Sequence, residues 1–326
     1  MPTRRRRRLV APLLALVAGV ALVAGLVVVL GRGVGPLPDP EGCRASVGGV
    51  VVDLTIEQAE NAATISAVAV RRGLPARAAS IALATAFQES KLRNLDYGDR
   101  DSVGLFQQRP SQGWGSSAQI QDPVYAAGRF FDALQRIDGY QSMRITEAAQ
   151  EVQRSGFPEA YEDHAADARA LASALTGYSR AAFTCVVRAG SAPTQDVGPS
   201  GLTARARAVR RDLRTVFGDL PLGGYRPGGV TTGHIEGSAH YSGRAIDVFV
   251  RPVSNANRRR GWAVASYLVA HASRLQIDHV IFDKRIWSVG PRSEQGWRAY
   301  DPGSGPGDPV VLEHRDHVHL DVVAGG

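Results

Sequence analysis

Apolar and polar positions alternate along this chain in three regimes. Residues 9–30 carry no charge and are almost wholly apolar, directly after five arginines, Arg4 to Arg8. A helix of that length spans a bilayer, and it exceeds the roughly 7–15 apolar residues of a cleavable signal core. The reading is therefore a cytoplasmic basic tail (1–8) and a transmembrane anchor (9–30). A long signal peptide is the alternative. A Gly/Pro-rich stalk follows at 31–45. Helical periodicity comes next. It predicts helices over 55–72, over 76–92 opened by Pro75 in the first turn, over 123–137 capped by Asp122, and over 145–154 and 161–175. A Gly/Asp/Gln-rich irregular stretch occupies 94–121. The pattern lapses over 188–201, a Gly/Ser/Pro/Thr linker. It then changes character: helices over 203–217 and 255–275, and strands over 244–251, 279–282 and 317–323. The expected fold class is α+β, with a mostly α domain (46–187) and a second α+β domain (202–326) built on a small antiparallel sheet.

Charge refines the picture. The net charge is +7, and Arg4 to Arg8 supply five of those charges, so the rest of the chain carries only +2. A nucleic-acid partner is not expected. The arginines instead keep the first residues cytoplasmic and send the remainder outside. The chain is thus expected in the cell membrane as a single-pass protein, with the membrane as a partner through its N-terminal helix. The two cysteines, Cys43 and Cys185, sit in a compartment that permits a disulfide. Closing so long a loop stabilises a fold by about 4–5 kcal/mol on the chain-entropy view.

Candidate chemistry concentrates near the C-terminus. Seven of the eight histidines follow residue 200, and three fall within 313–320. His240 and Asp247 are seven residues apart, and His319 lies on the last strand. Alternation places His317, His319 and Asp321 on one face, with Val318, Leu320 and Val322 on the other. Asp247 lies on a strand that can pair with it, and His240 precedes that strand in a loop that Gly243 lets turn closely. The small Ala245 leaves room beside the site. Two imidazoles and one carboxylate make a three-ligand set that leaves a position open on Zn2+. Manganese or iron also accept such donors. A metal held this way acidifies water towards neutrality and polarises an amide carbonyl. His234, His271 and His279 lack this context and are expected to be structural.

The pattern Ser238, His240, Gly243, Ala245, Asp247 (SxHxxGxAxD), followed by the late His317-x-His319, resembles the LAS-type zinc peptidases, in their D-Ala-D-Ala carboxypeptidase and phage endopeptidase branch. The surrounding text, IFDKRIWS at 281–288 and HRDHVHL at 314–320, is similar to an actinobacterial cell-wall domain. The resemblance implies zinc held by His240, Asp247 and His319, Ser238 as a substrate contact, and Asp316 as the general base, three residues before the last ligand. His317 would then polarise the carbonyl. Two positions depart from the branch, which often has Glu and Trp where this chain has Asp316 and Val318. Strand parity also sets Asp316 opposite His319 unless the strand begins after it, so His317 or Glu313 remains open for the base role.

In the first domain, Glu89 ends the helix over 76–92, and Gly104-Leu105-Phe106-Gln107-Gln108 follows fifteen residues later. A carboxyl at a helix end beside an apolar wall can stay protonated and serve as an acid. The pairing of ES with GLFQ resembles the lysozyme-like fold of lytic transglycosylases and goose-type lysozymes, in which that Glu is the catalytic acid. Asp96, Asp99 and Asp101 are candidate second carboxylates. Gln107, Gln108, Trp114 and Tyr161 are candidate sugar contacts. Together the two resemblances imply a bifunctional peptidoglycan hydrolase facing the cell wall. A non-catalytic wall-binding or assembly module that keeps both folds is the alternative. Metal trafficking fits poorly, since the single site offers neither Cys nor Met.

Overall fold

The computed structural model describes Gly25 and residues 40–303 and 307–325. The expected basic tail, the span over 9–30 apart from Gly25, and most of the stalk lie outside the described residues. Among the described residues no helix is long and apolar enough to cross a membrane. Residues Glu41–Gly326 form one compact α+β unit.

The unit opens with strands that the helical reading of this region did not anticipate. β1 (Gly42–Val47) and β2 (Val50–Leu54) form a hairpin, and β3 (Phe183–Val186) pairs with the other edge of β1. Gly48 and Gly49, both at positive φ, make the turn, as a two-residue hairpin requires. Cys43 and Cys185 are cross-strand partners in this sheet and form a disulfide.

The helices follow their sequence signals closely. α1 (Ile56–Arg71) starts at a capping box in which Thr55 and Gln58 satisfy each other's backbone N–H. α2 (Ala76–Ser90) has Pro75 as its N-cap rather than inside its first turn, and it stops where Lys91 enters the left-handed region. α3 (Ser117–Ile120) is a single turn. α4 (Pro123–Leu134) is capped by Asp122 as expected. α5 (Ile145–Gln153) follows. The helix expected over 161–175 is divided: a 3-10 segment, Ala160–His164, precedes α6 (Ala165–Leu175). The alanine-rich faces of α2 and α6 let these two helices pack closely.

After the irregular linker come α7 (Ala204–Phe217), with Thr203 as its N-cap, and β4 (Leu222–Gly223). Next are β5 (Ala245–Phe249), α8 (Asn255–Ala270), α9 (Ala272–Leu275), β6 (Ile277–Phe282) and β7 (Arg285–Ser288). β8 (Arg298–Ala299), α10 (Pro309–Leu312) and β9 (His317–Val322) close the fold. These strands build a six-stranded antiparallel sheet of order β4-β5-β9-β6-β7-β8. α8 lies between the two halves, packed on β6 and β9 and also on α1. The indoles of Trp287 and Trp297 donate to the backbone oxygens of Cys185 (3.0 Å) and Phe183 (2.8 Å), and Gly290 N–H donates to Val187 O (2.8 Å). The edge of β3 is therefore bonded to the second half. Burying an aromatic of this kind stabilises a fold by roughly 1.5–3 kcal/mol, and the bonded N–H removes the desolvation cost.

Candidate active sites

The centre of the large sheet brings the expected metal-binding residues together. β5 and β9 are antiparallel neighbours in the register Asp247↔His319, with Phe249↔His317 on one side and Ala245↔Asp321 on the other. His240 enters from the tight loop before β5, where Gly243 takes a positive φ. A Cβ at Gly243 would lie 2.6 Å from Gly201 O, so the loop approaches the linker as only glycine permits. His240 Nε2 is 3.1 Å from His319 Nδ1 and 3.3 Å from Asp247 Oδ1, and His319 Nδ1 is 3.1 Å from the same oxygen. All three residues are buried.

Donor atoms bound tetrahedrally to zinc stand about 3.3 Å apart, given zinc–donor distances of roughly 2.0–2.2 Å, so the triangle fits such an ion. The ring of His240 is oriented for it. Its Nδ1 lies 2.7 Å from Gly224 O, which can only accept, so the proton sits on Nδ1 and the lone pair of Nε2 faces the triangle. A Cβ at Gly224 would collide with the His240 ring and lie 2.8 Å from Asp247 Oδ2. Burial pushes the His319 imidazole down, which favours the neutral, ligating form. Burial alone would raise the Asp247 carboxyl, but the His240 and His319 rings packed against it outweigh that and hold it well below the carboxylate range.

Around the triangle, His317 Nε2 lies 3.9 Å from Asp247 Oδ1, and its Nδ1 is 2.8 Å from Asp316 Oδ1. The other oxygen of Asp316 accepts from Arg251 Nε at 2.6 Å. β9 begins at His317, so Asp316 precedes the strand and escapes its alternation. Both of its oxygens are nevertheless occupied, by Arg251 and His317, and of the candidate bases His317 has an atom beside the triangle. Glu313, the other candidate base, pairs with Lys284 (2.7 Å) and Arg315 (2.6 Å). Ser238 Oγ accepts the N–H of His240 at 3.4 Å and so shapes the loop.

Two histidines expected to be structural have further surroundings. His234 stacks on His240 with ring centroids 3.9 Å apart, and the Tyr241 hydroxyl pins its backbone. His279, His319 and Asp321 form a second set of donor atoms within 4.8 Å of one another. Burial alone would lower His279, but Asp278 and Asp321, the latter at 2.8 Å, carry it up to about 9. A protonated imidazole donates and does not ligate. His271 is buried and bonds to Tyr267 O (2.9 Å) and Thr64 Oγ1 (3.4 Å) at the contact between α1 and α8, where burial pushes it down to about 4. His314 is brought among the rings of His317 and His319, a placement that sequence spacing does not reveal.

Glu89 stands in the last turn of α2, and its Oε1 accepts from the Tyr161 hydroxyl at 2.8 Å. Burial pushes its carboxyl up, against the opposing bonds from Tyr161 and Gln153. Ser90 Oγ donates to Leu105 O (2.8 Å), which is the physical link between the ES and GLFQ motifs. Tyr161 is fully buried and holds Glu89, while Gln108 is buried with its amide on Ala126 O (3.3 Å). Gln107 folds back onto Ser102, Tyr97 and Gly104. The two glutamine amides thus bond within the fold around this loop. Asp101 is engaged by Arg109 (2.8 Å) and Ser111, which hold it well below the carboxylate range. Asp96 and Asp99 are exposed. A cleft of about 780 Å³ is lined by Trp114, Arg129, Arg136, Glu151 and Gln153, and Gln153 also bonds to Glu89. Gln153 went unnoticed in the sequence because nothing local ties it to a carboxyl sixty-four residues earlier.

The fold and site thus define an α+β protein with a buried His/Asp/His cluster suited to a metal ion and a separate, half-buried glutamate, Glu89. Residues 198–310 match the family described as VldE, C-terminal domain. That match includes His240 and Asp247 and ends before the strand that carries His319. No curated protein matches the chain.

Proposed function

We propose that this chain is a bifunctional peptidoglycan hydrolase. The second half would cleave a peptide or D-amino-acid amide of the wall with zinc, and the lysozyme-like first half would cleave the β-1,4 glycan bond. The observation that carries the reading is the His240–Asp247–His319 triangle, with sides of 3.1–3.3 Å and with the tautomer of His240 set by Gly224 O. Zinc, when bound there, supplies Lewis acidity to a carbonyl and a nucleophile near neutral pH. The chain's own residues do the rest. His240 and His319 would present ring nitrogens to the ion, Asp247 would supply the charge, and His317 stands beside them to exchange a proton with the reacting amide. In the first half, Glu89, whose carboxyl burial pushes up, would donate a proton to the leaving glycosidic oxygen, and Tyr161 fixes the carboxyl. An anchor at 9–30 would hold both sites outside, within a stalk's reach of an insoluble polymer.

The test is mass spectrometry of products released from purified peptidoglycan by the chain from residue 33 onward. Wild type runs beside Glu89→Gln and Asp247→Ala, with zinc and then with a chelator. Glu89→Gln should abolish only sugar-cleaved products. Asp247→Ala and the chelator should abolish only peptide-cleaved ones. A folded, zinc-loaded protein that releases nothing from several wall chemistries would replace this reading with a wall-binding module.

A further inference from the structure

Beyond the metal ligands, a chain of contacts runs away from the site along the end of β5. His317 Nε2 is on the side of the triangle, and its Nδ1 meets Asp316 Oδ1 at 2.8 Å. Asp316 Oδ2 meets Arg251 Nε at 2.6 Å, and the Arg251 guanidinium lies 4.2 Å above the ring of Phe249. Phe249 and His317 are register partners on the two central strands, so the path returns to where it began. Burial is graded along it: the side chains of His317 and Asp316 are 8% and 7% exposed, that of Arg251 53%. A carboxylate buried that deeply needs cationic or N–H partners on both oxygens, and Arg251 is the one that reaches it from outside. An ionised Asp316 accepts only, so its bond keeps a proton on His317 Nδ1 and turns Nε2 towards the site.

We infer that Arg251 and Asp316 are positioning residues for His317, with Arg251 locking the carboxylate that fixes the tautomer and rotation of that imidazole. The inference rests on the hydrolase reading for its kinetic consequence and on geometry alone for its structural one. Asp316 is then the orienting partner of the proton carrier and does not itself face the amide. The Phe249 ring limits where the guanidinium can swing, so position 251 needs the planar fork as well as the charge.

The test uses the chain from residue 33 onward as wild type, Arg251→Ala and Arg251→Lys, with two readouts. In amide hydrolysis of wall fragments, Arg251→Ala should lower kcat about tenfold or more, within the range for removal of an outer-shell partner. KM and zinc affinity, measured by chelator competition, should stay unchanged, and Arg251→Lys should recover part of the loss. In nitrogen-15 NMR of the metal-free protein, His317 should carry its proton on Nδ1 in wild type and become a tautomer mixture in Arg251→Ala. An unaltered tautomer in Arg251→Ala, or a loss confined to zinc affinity, would overturn the inference. If wild type hydrolyses no amide, the hydrolase reading falls, and the NMR result still decides the positioning role.

Discussion

A single side chain's chemistry here depends on what surrounds it. Glu89 is raised by burial and steadied by Tyr161. Below pH 4.5 the folded and unfolded forms are both protonated and burial of the group is neutral in charge. Above 4.5 the unfolded carboxyl ionises first, so the buried one costs stability, increasingly until pH passes its own raised value. Glu89→Gln should therefore raise the melting temperature at neutral pH, with the difference fading as pH falls below 4.5; thermal melts across that range check it. If the proposed glycan cleavage is measured, it should decline as pH rises through the same raised value, because the proton donor is lost. Gly224 shows the opposite situation, a residue important for having no side chain. Gly224→Ala should weaken zinc binding tenfold or more, on the scale of outer-shell effects, since its Cβ would collide with the ligand His240. Competition against a chelator would show it. Glu89, His240, Asp247 and His319 were all legible from motifs. Gly224, Gln153, His234 and Arg251 were not, because each acts through a contact with a residue distant in sequence or through a loop that carries no periodic signal.

At the level of elements, the long helices and the three strands around the cluster were readable, and the remaining strands were not. α4 starts at the expected cap, Asp122, and α1 and α7 start one residue inside their expected bounds, with Thr55 and Thr203 as N-caps, because a side-chain oxygen satisfying an exposed N–H is a local event. Strands β1, β2, β3 and β7, with four to six residues each, were not read although β5, β6 and β9 are of similar length. β7 in particular follows β6 through Asp283 and Lys284, both at positive φ, a two-residue hairpin without a glycine. The expected helix over 161–175 breaks at its start, where the 3-10 segment carries Tyr161 to Glu89. β3 has a consequence of its own. It holds one end of the disulfide, and its backbone oxygens accept from Trp287 and Trp297 in the other half. Replacing Cys43 and Cys185 by serine should cost up to about 4–5 kcal/mol on the loop-closure argument for a 142-residue separation. The loss should appear equally in probes of both halves, and denaturant unfolding followed by tryptophan emission and by zinc release would test that.

On the scale of the whole molecule, two domains joined by a linker were expected, and residues Glu41–Gly326 pack as one compact unit. α8 supplies the reason: one face rests on the sheet that carries the metal-type cluster and another on α1. Zinc binding should therefore stabilise the entire unit. At a free concentration a thousandfold above its dissociation constant, an ion adds about 4 kcal/mol. Calorimetry should show a single transition that moves up with zinc and down with chelator. Two transitions, with only one responsive, would mean the halves unfold independently. By the same argument a fragment over 202–326 should be markedly less stable than the full chain, because the α8 surface facing α1 would be left to water.

The sequence by itself determined what is local: the helix starts, the alternation that puts His317, His319 and Asp321 on one face, and the residue types of both sites. Such features depend on neighbours within a few positions, so they are written in order along the chain. Only the tertiary structure decided which strand pairs with which, that Asp247 stands opposite His319, that Asp316 turns to Arg251, and that Tyr161 serves Glu89 from within the core. Those outcomes arise where buried polar groups must find partners across the fold, and the identity of a distant partner is set by packing rather than by spacing.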